Sequence, residues 1–111
     1  ELDGTVLRHL RDELRGDSEV VLRAVRQDGF VLTYAAQDLR SSRAFVLLAV
    51  EQNGLALQGA TEELRNNREV VLRAVAGSGI ALRWASEALQ GDREIVLQAV
   101  LQDGFALRYA S

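Results

Sequence analysis

The stretch Asn67-Arg68-Glu69-Val70-Val71-Leu72-Arg73-Ala74-Val75-Ala76-Gly77-Ser78-Gly79-Ile80-Ala81-Leu82-Arg83-Trp84-Ala85 decides the fold, because the rest of the chain repeats it. Gly4, Gly29, Gly54, Gly79 and Gly104 are each 25 residues apart. Val25, Val50, Val75 and Val100 keep the same register, as do Ala24, Ala49, Ala74 and Ala99. Leu14, Leu39, Leu64 and Leu89 keep it too, and Leu7, Leu32, Leu57, Leu82 and Leu107 carry it from end to end without a gap. Self-similarity at a fixed period of this length is the signature of a solenoid, in which each unit buries its apolar face on the next.

Each unit reads in three parts. Asp17, Ser42, Asn67 and Asp92 share one column, and all four residue types accept hydrogen bonds from the free amides of a helix start. From that N-cap runs a helix of about ten residues, in which Val21, Ala24 and Val25 have the i, i+3, i+4 spacing of a buried face. Asp28-Gly29, Asn53-Gly54, Ser78-Gly79 and Asp103-Gly104 then stop it, and the glycine is expected in the left-handed conformation of a helix C-terminus. The apolar residue after each glycine (Phe30, Leu55, Ile80, Phe105) is expected to pack back on the last turn. A second, shorter helix follows, as in Ile80 to Ala85, and Thr61 or Ser86 can cap a final turn ending at Leu64 or Leu89. Asn-Gly and Asp-Gly also suit β-hairpins, but the flanking apolar residues follow helical spacing and not alternation.

The expected architecture is all-α: a right-handed α-solenoid of about four and a half two-helix units in one domain, 1–111. Its divisions are a partial unit 1–16, units 17–41, 42–66 and 67–91, and a partial unit 92–111. Leucine-rich repeats lack a match for their buried Asn here, and tetratricopeptide and ankyrin units are longer, at about 34 and 33 residues. The unit resembles the helical repeats grouped as the domain of unknown function 4116, on lines such as Arg68 to Val75 followed by Gly79 to Glu87. The resemblance covers essentially the whole chain. The copy at 42–66 diverges most, with Ala44-Phe45 for Glu-Val and Gly59 for an aromatic. The resemblance implies the fold and tandem arrays in microbial eukaryotes and some bacteria, and it implies no established activity.

Composition narrows the function classes. Cysteine is absent, which removes disulfides, thiolate nucleophiles and cysteine zinc sites and leaves the compartment open. All 13 basic residues are Arg, against 16 acids, for a formal charge of -3, a balance that disfavours phosphate neutralisation on nucleic acid. The longest apolar runs, such as Ala44 to Val50, fall far short of the roughly 18 residues of a membrane span, and no segment reads as a secretory signal. Any membrane association would run through partners. Met is absent even at position 1, which suits a processed product or fragment.

Three sets of columns are candidates for chemistry. His9, Tyr34, Gly59, Trp84 and Tyr109 form a broken aromatic ladder that suits either a partner surface or packing between units. Arg8, Arg83 and Arg108 lie beside it on the short helix, while Arg43, Arg68 and Arg93 open the long one. Such guanidinium groups suit acidic partners, but Glu19 with Arg23 and Glu69 with Arg73 stand at i, i+4 and can pair within their helix. Glu19, Glu69 and Glu94 sit where the helix dipole favours a negative charge, and three equivalent exposed acids do not make an acid–base pair. His9 is the single histidine and has no carboxylates at metal-binding spacing. Gly77-Ser78-Gly79 follows no strand, so it is no phosphate loop. Neither catalytic residues nor a cofactor nor a metal is expected; the structural residues are the glycine column Gly29, Gly54, Gly79, Gly104 and the caps Asp17, Ser42, Asn67, Asp92.

The expected function is a non-enzymatic scaffold for protein–protein interaction. The alternatives are an accessory subunit or fragment of a large assembly, organellar and membrane-associated as in an algal photosynthetic complex, and a ligand-binding or enzyme-associated module. The two ends, with Val6, Leu7 and Leu10 at one and Phe105, Leu107 and Tyr109 at the other, carry apolar residues that a longer array or a neighbouring subunit would cover.

Overall fold

The computed structural model describes residues 16–111, so Gly4, Val6, Leu7, Arg8, His9 and Leu10 lie outside the described residues. Every described residue in regular structure is helical. The elements are α1 (Ser18–Gln27), η1 (Gly29–Tyr34), α2 (Gln37–Arg40), α3 (Arg43–Gln52), η2 (Gly54–Gly59), α4 (Glu62–Arg65), α5 (Arg68–Gly77), η3 (Gly79–Trp84), α6 (Glu87–Gln90), α7 (Arg93–Gln102) and η4 (Gly104–Tyr109), where η marks a 3-10 helix. The units stack into an elongated body of 41 × 24 × 17 Å.

Each long helix starts where the N-cap column puts it. Asp17 accepts from the amides of Glu19 and Val20, Ser42 from Phe45, Asn67 from Val70 and Asp92 from Ile95. Of the caps on the short helices, Ser86 accepts from the amide of Leu89, whereas Thr61 makes no such bond. The second helix of the unit is a 3-10 helix, tighter than the α-helix that the spacing suggests. Asp28, Asn53 and Asp103 initiate it by accepting from the amide two residues on, at 3.0, 3.0 and 2.9 Å.

The glycine column departs from its expected conformation. No described glycine has a positive φ; the residue before each is extended, and the glycine is the first residue of the 3-10 helix. Its role is proximity. A methyl group on Gly54 would strike the carbonyl oxygen of Ala74, and one on Gly79 would strike that of Ala99, so the backbones of adjacent units touch where a Cβ has no room. The column Ala74, Ala99 is the other half of this contact. The residue after the glycine does not fold back into full burial either, since Phe30 is 42% exposed.

The core is a continuous apolar spine. Val21, Ala24, Val25, Leu32, Val46, Leu57, Val71, Val75 and Leu82 have no exposure, and no polar or charged described residue is buried. Backbone hydrogen bonds tie the units at the other edge: the amides of Thr61, Ser86 and Ser111 donate to the carbonyls of Arg40, Arg65 and Gln90, at 3.1, 2.9 and 2.9 Å. These groups sit at helix ends, where they have no partner within their own unit.

Candidate interaction surface

Two faces of the stack handle charge differently. On the long helices Arg23, Arg43, Arg68 and Arg73 are matched with acid, while Arg26 and Arg93 make no ion pair among the described residues. Arg23 pairs with Glu19 at 3.2 Å and Arg73 with Glu69 at 3.4 Å, both along one helix. Others cross between units: Arg43 to Glu69, Arg68 to Glu94, Arg73 to Glu51, and Arg68 to Asp92 at 3.1 Å. Arg43 to Glu69 and Arg68 to Glu94 are the same contact one unit apart. The preceding interface lacks it, because Ser18 and Ala44 occupy those columns. Arg68 holds the Asp92 carboxyl below the ordinary carboxylate range, with the amide of Ile95 adding to the effect, and Asp92 in turn raises the Arg68 guanidinium. All these groups reach solvent, so the pairs add little stability.

The 3-10 face carries aromatics and unmatched arginine. At Gly59 the ladder is broken, and the break pulls η1 and η2 together. A methyl on Gly59 would stand 2.6 Å from the Leu32 Cβ and 2.7 Å from the Thr33 amide nitrogen, so only glycine permits this approach. The Gly59 carbonyl accepts from the Arg40 Nε at 2.8 Å. With no ring at position 59, Trp84 reaches past it to Phe30, ring centroids 5.6 Å apart and planes at 77°, an edge-to-face pair.

This arrangement leaves a depression of about 340 Å³ lined by Phe30, Thr33, Tyr34, Gln58, Arg83 and Trp84. The period of three residues per turn in a 3-10 helix puts Phe30 and Thr33 on one side of η1. Arg83 lies over Trp84 at 5.7 Å and near Tyr109 at 6.0 Å, within cation–π range of both rings. Among the described residues no carboxylate pairs with Arg83, in contrast to Arg23, Arg43, Arg68 and Arg73 on the long helices. A second, shallower depression of about 400 Å³ is lined by Gly104, Phe105, Leu107 and Arg108 on the last unit.

Of the residues singled out from sequence, Tyr34, Trp84 and Arg83 thus meet at one notch, with Tyr109 on the far side of Arg83. Arg108 lies apart, and Arg8 and His9 are outside the described residues. Phe30 and Gln58 were not among them. The signal for Phe30 was the break at Gly59, which removes the ring that would separate Trp84 from unit 17–41. Among the described residues no group of three or more His, Asp or Glu side chains is placed to hold a metal ion. None of the described helices is long and apolar enough to cross a membrane.

These features define a class, a tandem array of short helical repeats. A family model described as Domain of unknown function (DUF4116) matches residues 1–40, 42–90 and 77–111, and the chain belongs to that family. No curated protein and no solved structure matches the chain.

Proposed function

We propose that the chain is a non-enzymatic scaffold that binds another protein through the face formed by its 3-10 helices. The observation that carries this reading is the setting of Arg83. Four long-helix arginines, Arg23, Arg43, Arg68 and Arg73, pair with acids, whereas Arg83 lies within cation–π range of two rings beside exposed aromatic surface and has no acid partner among the described residues. Aromatic and arginine side chains in a shaped, partly desolvated setting are the groups that dominate protein interfaces. The core columns are spent on packing, so the columns that vary between units are left to carry specificity.

A photo-crosslinking amino acid tests the reading when placed at position 58, in the notch, and at position 98, on the exposed side of α7. Capture of a discrete protein from position 58 and not from 98 is expected. Capture only from 98 would contradict it. A second reading, an accessory subunit within a larger assembly, is favoured by the exposed Leu48 and Leu101 on the long helices, at 51% and 80%. It predicts crosslinks from position 98 as well as 58.

A further inference from the structure

Resting on that reading, we propose that the notch between Phe30, Tyr34 and Trp84 is a socket for one aromatic side chain of an acidic peptide, whose neighbouring carboxylate is bound by Arg83. Size sets the first limit. At about 340 Å³ the notch lies at the bottom of the range for ligand sites, about 300 to 1,000 Å³, which suits a single ring. Its walls set the second. Phe30 and Trp84 meet edge to face, and a third ring entering beside them continues the same edge-to-face geometry.

Charge sets the third limit. The Arg83 guanidinium lies within cation–π range of Trp84 and Tyr109, and none of its N–H groups is engaged by an acceptor among the described residues. A planar fork placed in this way matches a carboxylate through two parallel hydrogen bonds. The Thr33 hydroxyl and Gln58 amide at the rim supply further polar contacts. Single-stranded nucleic acid also stacks on aromatics, but the formal charge of -3 opposes a polyphosphate along the stack, whereas one carboxylate needs only the local cation.

The rigid part of the socket is the close approach of η1 and η2 at Gly59. Trp84 and Tyr109 occupy the same column in the following units. The socket lies at the unit whose aromatic is missing. Tandem repetition supplies the scaffold, and a single departure from it supplies the site.

The chain has one tryptophan, Trp84, so its fluorescence reports on the site directly. The probes are the pentapeptides Gly-Gly-Phe-Glu-Gly, Gly-Gly-Phe-Lys-Gly and Gly-Gly-Ala-Glu-Gly with blocked ends, together with a ten-residue oligothymidine, each titrated at low salt. Saturable change in Trp84 emission with the first peptide is expected, at least tenfold tighter than with the other three probes. Arg83→Gln should weaken the first peptide tenfold or more while circular dichroism and the melting temperature stay at parental values. Arg83→Lys should recover only part of the loss, because it keeps the charge and not the fork. Equal binding of the basic peptide, tighter binding of the oligothymidine, or no response to any probe would each overturn the socket. If position 58 still crosslinks a protein partner in the Arg83→Gln variant as strongly as in the parent, the socket fails and the scaffold reading stands. If position 58 crosslinks nothing in the parent, the scaffold reading itself has failed.

Discussion

Leu82 and Leu107 occupy the same place in the repeat, and their neighbours in sequence are nearly the same: Ala81-Leu82-Arg83-Trp84 against Ala106-Leu107-Arg108-Tyr109. Leu82 has no exposure and Leu107 is 62% exposed. The glycines three residues before them differ in parallel, for a methyl on Gly79 would hit the Ala99 carbonyl while one on Gly104 would meet nothing within 4 Å. Local sequence therefore sets how each unit folds, and the following unit sets what each residue contributes. In a stack of this kind stability is a sum of unit terms and neighbour terms, and these two leucines separate the two.

The largest expected effect tests that separation. Leu82→Ala should cost about 2–5 kcal/mol in urea unfolding, because it empties a buried site between two units. Leu107→Ala should change stability by less than about 1 kcal/mol, since most of its side chain already meets water. Comparable losses at both positions would remove the distinction.

Capping sharpens the comparison from the other side, because it acts within one unit. Asn67→Ala should cost about 1 kcal/mol, and Ser42→Ala the same, wherever the unit stands in the stack. Thr61→Ala, at a short helix with no side-chain cap bond, should stay within about 0.5 kcal/mol. Thermal unfolding of the three variants decides it, and a larger loss for Thr61→Ala than for Asn67→Ala would reverse the assignment.

The smallest effect concerns the ion pairs between units 67–91 and 92–111. Arg68 lowers the Asp92 pKa in the folded chain, so the pair contributes fully above the ordinary Asp value of about 3.9 and loses its contribution as pH falls through the lowered one. Between about pH 5 and pH 2 the parent should lose more stability than Asp92→Asn does, with amide exchange rising at the start of α7. Both partners reach solvent, so the difference should be slight and should shrink further in high salt. Identical acid dependence of the two proteins would show that the pair does not link the units.

Much of the fold was legible because its signals are local or strictly periodic. The register needed only the ruler of glycines, and the caps needed only Asp17, Ser42, Asn67 and Asp92 before apolar runs. The 3-10 geometry of Gly29 to Tyr34 was not legible, since six residues are too few to separate a period of 3.0 from one of 3.6. Nor was the reason for the glycines. A recurrent glycine after Asp or Asn suits a left-handed helix end and a close backbone approach equally well, and the choice depends on an alanine 20 residues further on, Ala74 for Gly54. The crossed ion pairs, Arg43 to Glu69 and Arg68 to Glu94, follow from the stacking and could be read only once it was known. Of the site, Tyr34, Trp84 and Arg83 stood out by type, but the meeting of Trp84 with Phe30 depends on the compression at Gly59, a tertiary event.

The central claim is that the repeating glycine serves contact between units and not backbone conformation. The stabilities of Gly79→Ala and Gly104→Ala, measured side by side by urea unfolding, test it most directly. Both positions have negative φ, so an added methyl meets no backbone penalty of its own. Gly79→Ala should lose about 1–3 kcal/mol by overpacking against the Ala99 carbonyl, while Gly104→Ala should be unchanged or gain up to about 1 kcal/mol. Equal destabilisation of the two would mean that the chain's own conformation requires glycine at this column, which contradicts a role in contact between units.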